Sequence, residues 1–392
     1  MKRLVIVGGG FAGVWAAMAA SQQRARLGSG TTDVSITLIN TDPWLTIRPR
    51  LYEASLADVR VSLPTVLQPV GVELVEAEVT HIDTDARRLT LARERQQLLY
   101  DSLVLASGSR AARPRTPNLE RVFSVDTFAE ATALAQHLES LASDLTVHEP
   151  ARSAAVVVGA GFTGIEVATT LIGRLRAVAG GQATVTIVER ADSALLEMSP
   201  RARAHVADAL ATLGITLRCG RTVTAVRNDG VQLDDGEWIS AATTVWTGGL
   251  IASNLTAQIP VERDEIGRLA VDAFLRVSGI SAVYAAGDVA HTRVDGQHVA
   301  PMSCQYATQM GRTAGCNAFA DLSGHAPQPF SPRPYVTCLD LGGAGALFTS
   351  GWERDVQLSG YWASVMKQTI NRRLIYPPIT GTGVAAGAGA GS

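Results

Sequence analysis

The chain has 392 residues, 46% of them hydrophobic and 18% charged, the make-up of a globular protein with room for two or three domains. Its 34 Lys+Arg nearly cancel its 36 Asp+Glu, so no overall field draws it to nucleic acid or to anionic lipid. The four cysteines, Cys219, Cys304, Cys316 and Cys338, have neither a Cys-x-x-Cys nor a metal-ligand spacing, which argues against a metal centre and for a reducing, cytoplasmic compartment.

The N-terminal apolar run reaches glycine after a few residues, too soon for a signal-peptide core, and no later stretch has the ~18–20 apolar residues that span a bilayer. That first run, Val5-Ile6-Val7-Gly8-Gly9-Gly10-Phe11-Ala12-Gly13, is a strand, a tight glycine turn and a helix start. An Ala-rich helix is predicted over 11–26, a buried strand over 34–40 and a small β-meander over 72–106. The meander ends in the apolar run Leu103-Val104-Leu105-Ala106-Ser107-Gly108.

The second half repeats these steps. Val156-Val157-Val158-Gly159-Ala160-Gly161-Phe162-Thr163-Gly164 opens a helix running to residue 175, followed by the strand Thr184-Val185-Thr186-Ile187-Val188-Glu189. Asn228-Asp229-Gly230 and Asp234-Asp235-Gly236 mark hairpin turns, and Thr244-Val245-Trp246-Thr247-Gly248-Gly249 closes the unit as Ser107-Gly108 closes the first. A third segment, Ala282-Val283-Tyr284-Ala285-Ala286-Gly287-Asp288, is a short buried strand that returns to the first unit, with a helix after it over 303–322.

The expected fold is therefore α/β: two Rossmann-like doubly wound units with inserted meanders, plus a small C-terminal module. The expected domains are 1–115 and 256–326 for the first, discontinuous unit, 116–255 for the second, 327–378 for the C-terminal module and 379–392 for a disordered tail. Within the module, Trp362, Val365, Met366, Ile370 and Leu374 share one helical face, with Lys367, Arg372 and Arg373 toward the other. Two roles fit such a face: an interfacial helix beside an acceptor entrance, touching the membrane surface, or a helix packed on the core or in a homodimer seam.

Glycine turns of this kind bring backbone N–H groups and a helix N-terminus against a pyrophosphate. Two of them in one chain suggest two dinucleotides held face to face, as hydride transfer from a nicotinamide to a flavin requires. Glu189, at the end of its strand, is placed to accept from both ribose hydroxyls and to repel a 2′-phosphate, favouring NADH over NADPH. Asn40 occupies the corresponding place in the first half, able to bond a hydroxyl but uncharged.

Both fingerprints, together with Tyr100-Asp101-Ser102-Leu103-Val104-Leu105-Ala106-Ser107-Gly108 and Ala286-Gly287-Asp288, resemble the two-dinucleotide flavoprotein reductases of glutathione-reductase-like fold over about residues 1–325. Cys304-Gln305-Tyr306-Ala307-Thr308-Gln309, Leu51-Tyr52-Glu53-Ala54 and Val245-Trp246-Thr247-Gly248-Gly249 are similar to the type II NADH:quinone dehydrogenases within that group. A redox cysteine pair soon after the first fingerprint, as in the disulfide reductases, is missing.

The resemblance implies bound FAD, NADH as donor, and electrons passed on to a small-molecule acceptor, above all a quinone. It assigns Gly8, Gly10, Ala12, Gly13, Asn40, Arg48, Ser107, Gly108, Gly287 and Asp288 to the FAD side. Gly159, Gly161, Gly164, Glu189 and Gly248 fall to the NADH side, and Glu166, Gln305 and Gln309 to the catalytic centre. The alternative for Asp288, compatible with that role, is a helix cap, and the alternative for Glu166 is a carboxylate stabilised by its helix dipole. Arg48 and Arg50 depart from the quinone-reducing pattern; they bind FAD phosphate or a nearby carboxylate, or else suit a polar or anionic acceptor. Two further readings stay open: an NADH-dependent flavoprotein acting on a small polar or biosynthetic substrate, and a low-turnover flavin redox sensor or carrier partner.

Overall fold

Short runs with few polar residues cannot sit at a surface, and here they become strands of parallel sheets covered by helices. The computed structural model describes residues 1–28, 33–92, 96–113, 122–141, 150–179 and 182–378. In the first half the parallel order is Val283–Ala285, Ser102–Leu105, Lys2–Val7, Val34–Asn40, Glu73–Glu76. The late strand of residues 283–285 thus completes the sheet begun at the N-terminus. In the second half the order is Ile215–Arg218, Thr184–Val188, Ala154–Val158, Thr243–Trp246, again all parallel. Each fingerprint leaves the carboxyl end of a central strand flanked on both sides, which is where ligands bind in open α/β sheets.

Several predicted elements need adjusting. The meander of the first half is shorter than 72–106, because Glu73–Glu76 and Ser102–Leu105 join the parallel sheet. Val79–Asp83, Arg88–Leu91 and Gln97–Leu99 make the antiparallel ribbon. The fingerprint helix of the second half runs Phe162–Ala179, past residue 175, because Arg176-Ala177-Val178-Ala179 holds no helix breaker. Its meander, Val223–Arg227, Gly230–Leu233 and Trp238–Ser240, turns where expected. Gly230 is required there, since a Cβ would lie 2.2 Å from the Ile239 carbonyl oxygen.

Helix Phe11–Leu27 and helix Cys304–Ser323 lie in near backbone contact on the first sheet. A Cβ on Gly311 would stand 2.2 Å from the Ala12 carbonyl oxygen, and one on Gly315 2.1 Å from that of Ala16. The chain passes between the halves through two adjacent antiparallel strands, Ser109–Ala111 and Leu250–Ala252, which set the two fingerprints facing one another.

After residue 327 come three antiparallel strands, Val336–Asp340, Ala346–Ser350 and Asp355–Gly360. Leu339, Leu341 and Leu347 pack into the core of the second half, while Tyr335 packs into that of the first, so this sheet bridges both. The helix after it is two pieces, α-helical Tyr361–Thr369 and a π-turn Ile370–Leu374. Of the two roles open to its apolar face, packing on the core is not the one the chain adopts. Ala363, Lys367 and Asn371 point inward, whereas Trp362 is 67% and Leu374 70% exposed. Among the described residues no helix is long and apolar enough to cross a membrane. The expected boundary at 115/116 and the tail 379–392 lie outside the described residues.

Candidate functional site

One cleft of about 2220 Å³ runs between the two halves and is closed on one side by the C-terminal helix. A pocket for a single small ligand is roughly 300–1,000 Å³, so this space suits more than one bound molecule. Within each fingerprint the glycines divide the task. Gly8 and Gly159 have φ of +112° and +107°, and Cβ atoms on Gly13 and Gly164 would fall 1.7 and 1.9 Å from the carbonyl oxygens of Gly8 and Gly159. These four make the turn. Gly10 and Gly161 meet no atom within 4 Å and face the open cleft, as Ala12 does for the first fingerprint. Gly10 caps its helix without a side-chain bond, and neither fingerprint helix has an acid in its first turn. Two helix N-termini, each following a glycine, thus point their N–H groups at space that no protein atom fills, a cradle that fits a pyrophosphate in each half.

The strand-end residues prove to be equivalent in position and different in exposure. Asn40 Oδ1 accepts from Gly9 N at 2.8 Å, and Glu189 Oε2 accepts from Ala160 N at 2.7 Å, so each ties the turn to its neighbouring strand. Glu189 Oε1 also accepts from Ala191 N at 2.8 Å, and the residue lines the cleft. Asn40 does not line it, and its Nδ2 is engaged by the Asp42 carbonyl at 2.8 Å. Asp42 Oδ1 is in turn held by Trp44 N at 3.0 Å.

On the first half's side of the cleft, Gly108 lies at φ +69° and Gly287 at +74°; a Cβ on Gly287 would stand 2.9 Å from that of Ala12. The Ser107 hydroxyl turns away to bond Ser253 Oγ at 2.7 Å. Asp288 caps no helix, since the Ser303 side chain caps Cys304–Ser323. Its carboxylate accepts from Ser109 Oγ at 2.6 Å and faces Arg48 Nη1 at 3.9 Å. The second amino group of Arg48 pairs with Asp126. Arg50 does not line the cleft. It is buried against Glu53, with Nε–Oε1 at 2.9 Å and Nη2–Oε2 at 2.8 Å, and that pairing raises its pKa further. Gly248 borders the cleft beside Trp246, whose indole N–H donates to the Ala112 carbonyl at 2.9 Å.

Glu166 departs furthest from its bland reading. It is buried rather than resting at an exposed helix end, and Lys367 Nζ reaches its Oε1 at 2.7 Å. The same ammonium donates to the Cys338 carbonyl at 2.8 Å, and Asp340 N donates to Glu166 Oε1 at 3.0 Å. Tyr52 closes the group, its hydroxyl donating to Asp340 Oδ2 at 2.9 Å. Burial pushes the Glu166 carboxyl above the ordinary carboxylate range. Burial also works against the Lys367 charge, but Glu166 more than compensates and holds the ammonium protonated. Glu166, Lys367 and Tyr52 all line the cleft.

Gln305 and Gln309 line it as well, one helical turn apart, but their amides serve the protein. Gln305 Nε2 donates to the Pro334 carbonyl at 3.0 Å, and Gln309 Oε1 accepts from Arg333 N at 2.7 Å. They clamp segment 333–336 against helix Cys304–Ser323. Burial lifts the Cys304 thiol to about 11, so the residue stays a neutral thiol near pH 7.

Lys367 is the residue that reading the sequence missed. The chain contains two lysines, Lys2 and Lys367, against a background of arginine, and a lone lysine where arginine is the habit is a signal in itself.

The family model for pyridine nucleotide-disulphide oxidoreductases matches residues 2–311. An NADH dehydrogenase-like protein of Mycobacterium tuberculosis is 45% identical over 390 residues, covering 97% of this chain and 96% of its own length. A demethylphylloquinone reductase of Synechocystis is 30% identical over 387 residues, with coverages of 95% and 91%. The solved structure of NDH2 from Plasmodium falciparum, in complex with NADH, has the same fold, with a TM-score of 0.81 at 15% identity over 96% of this chain and 95% of that one. With two facing dinucleotide cradles and a family match over most of its length, the chain belongs to the pyridine nucleotide-disulphide oxidoreductase family.

Proposed function

We propose that the chain is an FAD-dependent NADH oxidoreductase whose electron acceptor is a quinone. The carrying observation is the continuity of the cleft. It joins both glycine cradles and extends past Glu166 and Lys367 to an apolar wall of Trp362, Val365, Met366 and Ile370. Gly10, Ala12, Gly108, Gly287, Arg48 and Asp288 are the residues to hold FAD, and Gly161, Glu189 and Gly248 those to hold NADH. FAD, when bound, supplies a centre that takes two electrons from NADH as hydride and gives them up to an acceptor.

Reducing a quinone to a hydroquinone needs two protons besides the two electrons. The Glu166–Lys367 pair holds one on Nζ at the cleft wall, with the Glu166 carboxyl raised toward neutrality by burial. The apolar wall excludes water from a flat ring, and the helix N-termini supply positive potential at the phosphates. The names of the relatives, an NADH dehydrogenase-like protein and a demethylphylloquinone reductase, agree with this reading.

Stopped-flow mixing of the flavin-loaded protein with NADH, followed by a short-chain quinone, is the direct test. Bleaching of the flavin absorbance by NADH and its rapid return with the quinone are expected. Bleaching without quinone-dependent return would remove the quinone, and no bleaching by NADH would remove the oxidoreductase.

A further inference from the structure

Of the eight guanidiniums on the cleft, four are paired with a carboxylate, Arg110 is held by Asn254 Oδ1 at 3.0 Å, and Arg190, next to Glu189 on the second half, has no ion pair or hydrogen bond among the described residues. Arg48, Arg113, Arg221 and Arg354 pair with Asp126, Glu130, Asp235 and Glu197. Arg312 and Arg333 line the same cleft, and neither guanidinium has a hydrogen bond or an ion pair among the described residues. Their closeness is built in. Arg312 follows Gln309 by three residues on helix Cys304–Ser323, and Gln309 Oε1 holds the backbone N–H of Arg333 at 2.7 Å. Burial, and then the positive charge of Arg333, lower the Arg312 pKa, as expected of two like charges side by side. Such a pair is relieved by an anion between the two forks, and guanidiniums bind carboxylates and sulfonates through paired N–H groups.

We propose that Arg312 and Arg333 form an anion-recognition site on the acceptor side of the cleft, and that the acceptor is a quinone carrying a negatively charged substituent such as a carboxylate. This rests on the reading of the acceptor as a quinone and adds its charge. It also moves the anionic preference away from Arg48 and Arg50, whose charges are already matched by Asp126, Asp288 and Glu53. The basic residues on the outside of the C-terminal turn, Arg372 and Arg373, do not line the cleft, whereas Arg312 and Arg333 line it while staying open to solvent.

The test compares 1,2-naphthoquinone-4-sulfonate with 1,2-naphthoquinone as acceptors for the NADH-driven holoenzyme, in the unaltered chain and in Arg312→Gln and Arg333→Gln. The ratio of kcat/KM for the sulfonated quinone to that for the neutral one should fall about tenfold in each variant, mainly through KM, as for loss of one charged hydrogen bond. An unchanged ratio overturns the proposal. Binding of 2-naphthalenesulfonate, a redox-inert anion, followed by equilibrium dialysis should weaken by a similar factor, and equal binding in all three proteins overturns the site. If neither quinone turns over, the quinone reading fails while this dialysis still decides the anion site. Loss of sedimentation with phosphatidylglycerol vesicles, with the sulfonate ratio intact, would give the arginines to a lipid surface and overturn the proposal.

Discussion

Lys367 occupies a place where its arginine-rich chain would have no use for an arginine. A compact ammonium fits between Glu166 Oε1 and the Cys338 carbonyl, whereas a planar five-donor fork would leave N–H groups unmatched in a buried site. Lys367→Met strands the Glu166 carboxylate and should cost about 3–5 kcal/mol in urea unfolding, with Lys367→Met plus Glu166→Gln recovering much of the loss. The deficit depends on pH with a definite sign. Burial raises the folded-state pKa of Glu166 and Lys367 holds it down, so losing Lys367 raises it further, and the added penalty for the charge is absent below the ordinary carboxylate range and grows as pH rises through it. The single variant should therefore be nearest the unaltered chain at pH 5 and furthest from it at pH 8; a pH-independent gap would contradict the buried pair. Glu189 carries a second expectation at this scale. Held by Ala160 N and Ala191 N, its carboxylate has a fixed position from which to repel a 2′-phosphate. Flavin reduction should favour NADH over NADPH, and equal kcat/KM for the two would sink that assignment.

The fingerprint turns make a sharper prediction than their shared motif suggests, because glycines a few residues apart do different things. Gly13→Ala places a Cβ against the Gly8 carbonyl and should lower the melting temperature, an overpacking cost of about 1–3 kcal/mol or more. Gly10→Ala meets no protein atom, so the FAD-free protein should melt as before while the purified protein loses flavin, read as the ratio of its flavin to its protein absorbance. Unchanged flavin content in Gly10→Ala would show that the phosphate lies elsewhere. Elements of this kind were legible in the sequence because their cause is local: an apolar run, a turn that needs glycine, a helix start. The C-terminal helix was not, since the reason for its inward lysine lies at Glu166, 201 residues away. Its hydrophobic spacing marks a face and leaves open whether that face packs on the core or stays free. The same limit applies to Gln305 and Gln309, put on one helix face by their spacing and at the catalytic centre by the family resemblance, while their bonds to segment 333–336 depend on a distant stretch of chain.

At the scale of the whole molecule, the two halves are joined by the two-stranded ribbon and by the C-terminal sheet, and one acid adds a tie at the cleft. Asp126, on the way into the second half, pairs with Arg48 of the first and accepts from Ala111 N at 2.9 Å in the crossing strand. Asp126→Asn keeps both cradles and weakens the tie that sets their spacing. NADH-dependent flavin reduction should slow on the order of tenfold, at unchanged flavin content, because small misplacements of reacting groups are costly. An unaltered rate would mean that the ribbon and the C-terminal sheet fix the geometry without this tie.

The placement of tryptophans has a practical consequence. Trp246 is buried beside the second fingerprint, and Trp362 stands 67% exposed on the helix that walls the far part of the cleft. Indole emission shifts to the blue in apolar surroundings and to the red in water, so the two differ in colour before anything binds. Arrival of nicotinamide nucleotide should perturb the blue component, and covering of the apolar wall by an acceptor should move the red one. Subtracting the spectra of Trp246→Phe and Trp362→Phe turns that difference into a record of the order in which the two substrates enter.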